Sequence, residues 1–586
     1  PSNGTITTLF EIACPNWFDE DGIKDYSLYS FTNQLMIAFS SFSSFQVYLP
    51  SGENQILFIE IRDQLNCLTK FNLSSISIEA DSQLNTNLLS TGNQNTVSQL
   101  LTSFSQQFNQ INQQNIDKAV SSGIPLSTIS ISSLTTQNQP TNSSFNQSAL
   151  VEFEKELNSQ SETREYLISF TRNLQITTSN SIKLQSSSLV QLTKSTNQLT
   201  RTAISIAADR CFQLTSALQS ISMRISQEDA EICSTQLFQC ASNLLSAVNG
   251  PLQQRTTVLD LDSKRATEFP SDYETDLESE WSKINLLNEN EKNLYQQKEL
   301  ANQIQNQVKE MISRLNSILN IHLNVGQQSI VNTSEVFMSL QSETIESLSN
   351  QTFANGAIRF SQIETNQTNS IRIQSKVEPL ASFSNSVNTN VSRSISFSLF
   401  DSDGKEISLD YPIEIFIPRD PNRILPPMIL QNVTVRQQLF NFHYVNITTV
   451  LSISVHIEIE PLNSSVGYLL IYKFDQIPQL NEIDGWTVFC PSSFHSFFVD
   501  NEQTRNHKSL VFGLRELNSS EIHLYCLNNN SQLNLSITNE RFNFTSNYGL
   551  RVYSSGCYFL DENNQWNDQG LRVGNKTNHE QTHCLN

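Results

Sequence analysis

Two acidic turns offer the first prospect of chemistry. Asp19-Glu20-Asp21-Gly22 and Asp401-Ser402-Asp403-Gly404 carry the oxygen ligands a calcium ion takes. Neither runs on into a full calcium loop closed by a glutamate, so both read better as β-turns built on the backbone preferences of Asp and Gly. The histidines are His322, His443, His456, His495, His507, His523, His579 and His583. They show no HExxH or paired spacing, which leaves a zinc hydrolase without ligands. His443 and His456 can fall on neighbouring strands, but satisfied or surface histidines are the default. No GxSxG elbow, P-loop or dinucleotide fingerprint occurs. No catalytic residue, metal or cofactor is assigned, and the chain is not expected to be an enzyme.

The cysteines say more. Cys14 and Cys67 lie near the start, Cys211, Cys233 and Cys240 in the middle, and Cys490, Cys526, Cys557 and Cys584 near the end. None forms a CxxC pair, so structural zinc is not indicated. The grouping suits local disulfides in separate extracellular domains. The pairs expected are Cys557–Cys584, Cys490–Cys526 and Cys14–Cys67. The middle group is odd, so one thiol there is free or pairs elsewhere. Sixteen Asn-x-Ser/Thr acceptors add to the extracellular reading: Asn3, Asn72, Asn142, Asn146, Asn332, Asn350, Asn366, Asn390, Asn432, Asn446, Asn463, Asn518, Asn529, Asn534, Asn543 and Asn575. A chain this rich in Asn, Ser and Thr also makes such triplets by chance.

These residues need a large scaffold. The chain has 586 residues, about four domains' worth at roughly 150 residues each. Its net charge of −21 offers no basic stripe to displace counterions, which argues against nucleic acid as a partner. Charged residues make up 16%, against an average of about 25%, and uncharged Ser, Thr, Asn and Gln take their place. The 34 Phe, 14 Tyr and 4 Trp still supply cores, so the chain is not read as disordered. The most apolar run, from Val466 to Tyr472, is too short to span a bilayer. Pro1-Ser2-Asn3 shows neither a basic nor an apolar leader region, and a fragment or processed form is expected.

The expected fold is mixed α and β and multidomain. Residues 1–80 read as a β-sandwich module, with strands at Leu9–Ala13, Met36–Phe39, Phe45–Leu49, Ile56–Ile61 and Ser74–Glu79. Residues 81–148 read as a helix, with Val97, Leu100, Leu101, Phe104, Phe108 and Ile111 at helical spacing, followed by a polar linker from Ser121 to Ser148. Residues 149–330 read as a helical bundle. Its longest helix starts after Pro270 with the capping pattern Ser271-Asp272-Tyr273-Glu274 and ends near Gly326. Its spacing also suits a coiled-coil seam between chains, but the shorter amphipathic segments before it favour an intrachain bundle. Residues 331–586 read as a second β-sandwich, with strands at Ser394–Phe400, Ile413–Pro418, Leu451–Ile459, Gly467–Phe474, Leu510–Leu514, Ile522–Leu527, Leu533–Ile537 and Leu550–Tyr553.

The last thirty residues carry a resemblance. Cys557-Tyr558-Phe559-Leu560-Asp561, Trp566, Gln569-Gly570-Leu571 and Thr582-His583-Cys584-Leu585-Asn586 resemble the G-protein-coupled-receptor proteolysis site motif. In that motif four cysteines bridge first to third and second to fourth, shortly before His-Leu and a Thr or Ser. Cys557 and Cys584 match the first and third, while Leu571 and Asn586 stand at the second and fourth. One bridge is therefore whole and the other wholly missing. This two-cysteine version is similar to that of the large polycystin family, which includes the receptors for egg jelly. Cys14-Pro15-Asn16-Trp17-Phe18-Asp19-Glu20-Asp21 with Tyr26, then Leu49-Pro50-Ser51-Gly52 and Ile61-Arg62-Asp63-Gln64-Leu65, resemble parts of the egg-jelly-receptor module. Tyr411-Pro412-Ile413-Glu414-Ile415-Phe416-Ile417-Pro418-Arg419 is similar to a polycystin strand segment.

The resemblance implies the end of an egg-jelly-receptor module, then an autoproteolysis-inducing domain with a helical subdomain and a β-sandwich subdomain. It implies that the Cys557–Cys584 bridge clamps the strands around a cleavage site, with Trp566 packed beneath it and Phe559 and Gly570 completing the motif. In the family a Thr or Ser hydroxyl attacks the preceding Leu carbonyl, activated by the His, and the ester then hydrolyses. That dipeptide and nucleophile are absent here, His583 is not the catalytic histidine, and the chain is not expected to cleave itself. The implied setting is the extracellular side of the plasma membrane, ciliary in the family, next to a calcium-permeable channel. The implied partners are a C-terminal membrane fragment of the same protein, a polycystin-2-type channel subunit and an extracellular ligand. The alternatives are an adhesion-type G-protein-coupled-receptor ectodomain, a secreted self-processing hydrolase, and a structural or adhesive surface protein.

Overall fold

The computed structural model describes residues 3–31, 34–80, 93–124, 147–249, 276–334, 336–344, 351–353, 356–360, 370–379, 393–400, 413–419, 425–434, 437–438, 440–447, 451–479, 481–527, 542–560 and 566–585. The fold mixes helices and sheets, and the chain divides into two compact units. The first comprises residues 1–343 and 372–385, and the second comprises 344–371 and 386–586.

The first unit opens with β1 (Asn3–Thr5), β2 (Leu9–Ala13), β3 (Ile23–Ser30), β4 (Met36–Ser40), β5 (Ser44–Tyr48), β6 (Gly52–Gln55), β7 (Leu57–Asp63), β8 (Leu68–Asn72) and β9 (Ile76–Glu79). They form a sheet in the order β4-β3-β7-β8, a second in the order β1-β9-β6, and the pair β2-β5. Helices follow: α1 (Gln94–Ser121), α2 (Gln147–Phe170), α3 (Ser179–Thr193), α4 (Arg201–Ile221), α5 (Gln227–Asn249) and α6 (Asp276–His322). Asn93, Thr178 and Thr200 cap α1, α3 and α4, each side chain accepting from a backbone N–H of the first turn. The expected start of the long helix at Ser271–Glu274 and most of the linker at 121–148 lie outside the described residues.

These helices are poor in large apolar residues, and small hydroxyls fill their seams. Thr102, Ser188, Thr193 and Thr215 are buried and return their hydrogen bonds to the carbonyl four residues back, so each packs as a small, satisfied side chain. Arg164 of α2 is buried and spends its donors on Gln198 Oε1 at 2.8 and 3.0 Å, Leu192 O at 2.8 Å and Asn109 Oδ1 at 3.0 Å. Burial pushes its guanidinium down to about 9.

The N-terminal strands and the helices share one core. Phe10, Val47 and Leu57 pack in the same cluster as Leu100, Leu101 and Phe104 of α1 and the inner faces of α3 to α6. A buried ion cluster fastens them. Arg62 of β7 meets Asp229 of α5 with two bonds of 2.6 and 2.7 Å, and Lys183 of α3 reaches the same carboxylate at 2.8 Å. Burial alone raises an aspartate, but the two cations hold Asp229 below the usual carboxylate range. Next come β10 (Gln328–Asn332) and β11 (Phe337–Thr344), an antiparallel pair. The chain then makes β12 (Thr352–Phe353) and β13 (Ile358–Phe360) in the second unit before β14 (Ser370–Pro379), most of which returns to the first. The division falls near residue 343, so the end of β10 from Val331 and nearly all of β11, which fall in the expected C-terminal sandwich, belong with the helices.

The rest of the second unit comprises β15 (Arg393–Phe400), β16 (Ile413–Pro418), β17 (Ile429–Gln431), β18 (Gln437–Gln438), β19 (Asn441–Asn446), β20 (Ser454–Pro461), β21 (Tyr468–Phe474), β22 (Gly485–Phe489), β23 (His495–Val499), α7 (Asn501–Thr504), β24 (Ser509–Glu516), α8 (Ser519–Ile522), β25 (Phe542–Asn543), β26 (Tyr548–Ser555), β27 (Phe559–Leu560), β28 (Trp566–Asn567), β29 (Arg572–Val573) and β30 (Gln581–Leu585). Two four-stranded sheets, β17-β26-β20-β23 and β19-β24-β21-β22, share one core. Val455, Ile457 and Ile459 of β20 face Tyr468, Leu470 and Phe512 there, as strand alternation requires. A five-stranded sheet runs in the order β12-β13-β16-β30-β29.

Ile522–Leu527 is a correction. The residues are strand-formers, yet they continue α8 as a π-helical turn, His523–Leu527. Asn518 caps Glu521 N–H and Glu521 answers the Asn518 N–H, which starts a helix where apolar alternation suggested a strand. Leu533–Ile537 and the turn Asp401–Gly404 lie outside the described residues.

Candidate functional site

The site is the closing strand and what holds it. β30 is an interior strand. Glu414, Ile415, Phe416, Ile417 and Pro418 of β16 pair with Leu585, Cys584, His583, Thr582 and Gln581 on one side. Arg572 and Val573 of β29 pair with Leu585 and Cys584 on the other. The Cys557–Cys584 disulfide ties the strand to the segment just after β26, with Cα atoms 5.7 Å apart. Cys557, Cys584 and Val573 are buried together, and Ile415, Ile417, Phe498 and Leu571 close over them. Phe498 lies on β23, so this cluster joins the five-stranded sheet to the β17-β26-β20-β23 sheet.

β29 is short, and a buried side chain sets its place. Asn501 is 0% exposed. Its Nδ2 donates to Leu571 O at 2.9 Å and its Oδ1 accepts from Val573 N at 2.8 Å, so it pairs with β29 as a neighbouring strand would. Asp500 caps α7 with Gln503 and also meets Arg572 at 3.1 Å. Asp568 accepts from Ser452 N at 2.7 Å and from the Ser452 hydroxyl, which ties the turn before β29 to the start of β20. The pattern Asp500-x-x-Gln503 signals the cap in the sequence, but nothing there points to Asn501, whose partners are seventy residues away.

His583 stacks on Phe416, ring centroids 4.7 Å apart and nearly parallel. It is buried, and a Cβ at Gly574 would come within 2.0 Å of its Nδ1, so only glycine allows this packing. Glu414 Oε2 stands 3.7 Å from its Nε2 and takes a 2.8 Å bond from Lys576. Burial pushes the imidazole below its ordinary value, with Lys576 adding to the effect and Glu414 opposing it. Beyond the bridge, Ser454, His456 and Glu458 of β20 and Arg551 and Tyr553 of β26 form a second polar cluster with Arg419 and His579 from the flanking segments. His456 lies flat on Tyr553 at 4.6 Å and 2°. Glu458 binds His579 at 2.6 Å and Arg551 at 3.2 Å. Burial drives His456 down to about 3, helped by the charges of Arg419 and His579. Ser454 Oγ donates to Ser555 O at 2.9 Å and lies 3.2 Å from His456 Nε2, so these groups tie β20 to β26.

Trp566 stands half-buried in β28, opposite Leu560 of β27. Phe559 on the same pair is exposed, and Gly570 supplies the left-handed turn, φ +82°, that leads into β29. Cys490–Cys526 is bridged and ties the end of β22 to the π-helical turn. Cys14–Cys67 is a further correction. Cys14 is buried against Tyr26, Ile59 and Ile61, Cys67 faces solvent in the turn between β7 and β8, and both thiols are free. In the middle group Cys211 and Cys240 bridge α4 to α5, and Cys233 stays a buried thiol pushed up to about 12 by burial. Three bridges suit an oxidising compartment.

Among the acceptor asparagines, Asn72, Asn332, Asn432, Asn446, Asn463, Asn518 and Asn575 are exposed. Asn3 and Asn543 lie in β1 and β25. Asn142, Asn146, Asn350, Asn366, Asn390, Asn529 and Asn534 lie outside the described residues. At Asp19–Gly22 the structure has a turn, with Gly22 N bonded to Asp19 O at 3.1 Å and Asp21 N to Asp19 Oδ1 at 3.0 Å. No helix among the described residues is long and apolar enough to cross a membrane. No model of a known protein family matches the chain, and no curated protein matches it either.

Proposed function

We propose that this chain is a membrane-proximal extracellular region of a polycystin-like receptor or channel protein. In this reading the second unit is the β-sandwich of an autoproteolysis-inducing domain, and the helices before it supply the helical subdomain. Its work is mechanical. It holds the strand that leads to a severable linkage and couples the ectodomain to the membrane part of the same protein, with a polycystin-2-type channel subunit and an extracellular ligand as further partners.

One observation carries the reading. The strand that matches the third cysteine of the proteolysis motif is an interior strand and is disulfide-bonded to the residue that matches the first. A pull applied beyond Leu585 therefore cannot peel β30 away alone. The load passes through Cys584 to Cys557 and so to β26, which pairs with both β17 and β20.

Magnetic tweezers holding the chain by its two ends test this. The bridge spans 27 residues, so the Cys557→Ser/Cys584→Ser variant gains about 90 Å of contour on unfolding that the oxidised chain lacks, at roughly 3.4 Å per residue. It also yields at lower force. Identical traces for the two would contradict the proposal.

A further inference from the structure

Three turns meet at one end of the N-terminal strands: 14–22 between β2 and β3, 40–44 between β4 and β5, and 63–67 between β7 and β8. Cys14 N donates to Ser43 O at 2.7 Å, Gln64 N to Gly22 O at 3.0 Å, and Lys24 Nζ to Asn66 Oδ1 at 2.7 Å. Asn16, Asn66 and Gly22 take left-handed backbone angles of 67°, 69° and 86°, which fix the turns tightly. Their tips turn large apolar side chains to solvent. Phe18 is 85% exposed, Phe42 74%, Leu65 66% and Trp17 40%. Trp17 meets the exposed Phe71 edge-on at 6.5 Å. Scattered exposed apolar residues are ordinary, but several on three bonded turns make a patch that folding leaves unused. The same end carries Asp19, Glu20 and Asp21 in a row.

We propose that these turns form a docking surface for a basic protein segment with apolar anchors. Charge selects the occupant. A second copy of this chain would set the same three carboxylates face to face, on molecules that each carry −21. A membrane leaflet bearing anionic lipid repels the same row. Arginines or lysines around a large apolar side chain satisfy both features, the apolar part against Phe18, Phe42 and Leu65 and the cations against Asp19, Glu20 and Asp21. Glycans leave the surface open, because none of the sixteen acceptor triplets falls in the three turns. Asn72 follows Phe71 at the far end of β8, so a glycan there would border the Trp17 side of the surface and leave Phe18, Phe42 and Leu65 clear of it. The proposal stands apart from the reading of the closing strand.

The test uses the full chain and a fluorescein-labelled synthetic peptide alternating leucine or tryptophan with arginine, followed by anisotropy. Saturable binding is expected, weakened by salt. Phe18→Ser/Leu65→Ser, which leaves every charge in place, is expected to weaken it roughly tenfold or more. Asp19→Asn/Glu20→Gln/Asp21→Asn is expected to do the same while the chain keeps most of its negative charge. Circular dichroism is expected to stay unchanged in both variants, since Phe18, Leu65, Glu20 and Asp21 are exposed and Asn at 19 keeps the oxygen that accepts from Asp21 N. Wild-type affinity in Phe18→Ser/Leu65→Ser would overturn the proposal, as it would reduce the binding to net charge. No binding, uptake by phosphatidylcholine vesicles instead, or self-association through the patch would overturn it too.

Discussion

Single side chains decide much of the second unit's stability. His456 is kept neutral by burial, with its folded value near 3 against about 6.5 unfolded. Below pH 6.5 the unfolded chain takes up a proton that the folded chain refuses, so stability falls as pH drops between these values. His456→Phe keeps a ring on Tyr553 and removes the proton. Urea titrations between pH 7 and pH 4 should show the slope of stability against pH reduced by one proton, about 1.4 kcal/mol per pH unit. An unchanged slope would mean that His456 is protonated in the fold. Asn501 invites the simpler experiment. Asn501→Ala leaves Leu571 O and Val573 N–H without partners, and equilibrium unfolding should show a loss of about 1–3 kcal/mol. Asn501 does not announce itself in the sequence and His456 stands out there only as a strand histidine, since each draws its role from groups far along the chain.

Elements are held by a few charged or covalent fasteners where their apolar faces are thin. Asp229 joins β7, α3 and α5 through Arg62 and Lys183, with all three side chains buried. Asp229→Asn leaves two buried cations unpaired, and thermal and urea unfolding of the first unit should register a loss of about 3–5 kcal/mol. What the sequence shows about elements follows from local physics. Leu9–Ala13 is observed as β2 at the same residues, and the period of Val97 to Ile111 marks α1. β3 leaves no mark in the pattern, because it lies between β4 and β7 and buries Asp25 and Ser27 along with its apolar residues, so no clean alternation survives. Ile522–Leu527 misleads for the opposite reason, strand-favouring side chains set behind a helix cap at Asn518. Free Cys14 and Cys67 show the limit of pairing by neighbourhood. One thiol packs inward and the other faces solvent, a difference that spacing does not encode.

At the scale of the molecule, residues 1–80 are not a removable module. Phe10, Val47 and Leu57 share a core with Leu100, Leu101 and Phe104, so a chain beginning at residue 93 would expose that face of α1. Such a chain should aggregate or bind a hydrophobic dye at temperatures where the full chain does not, and monodisperse, cooperative unfolding of the shortened chain would contradict the shared core. The change of period near residue 82 marks a change of element, and the apolar core runs across it. At the other end of the chain the closing strand is stapled within a β scaffold. Peptide mapping of natively folded, secreted protein under non-reducing conditions tests it most directly. The account predicts one linked peptide pair containing Cys557 and Cys584, and recovery of both as free thiols would contradict it.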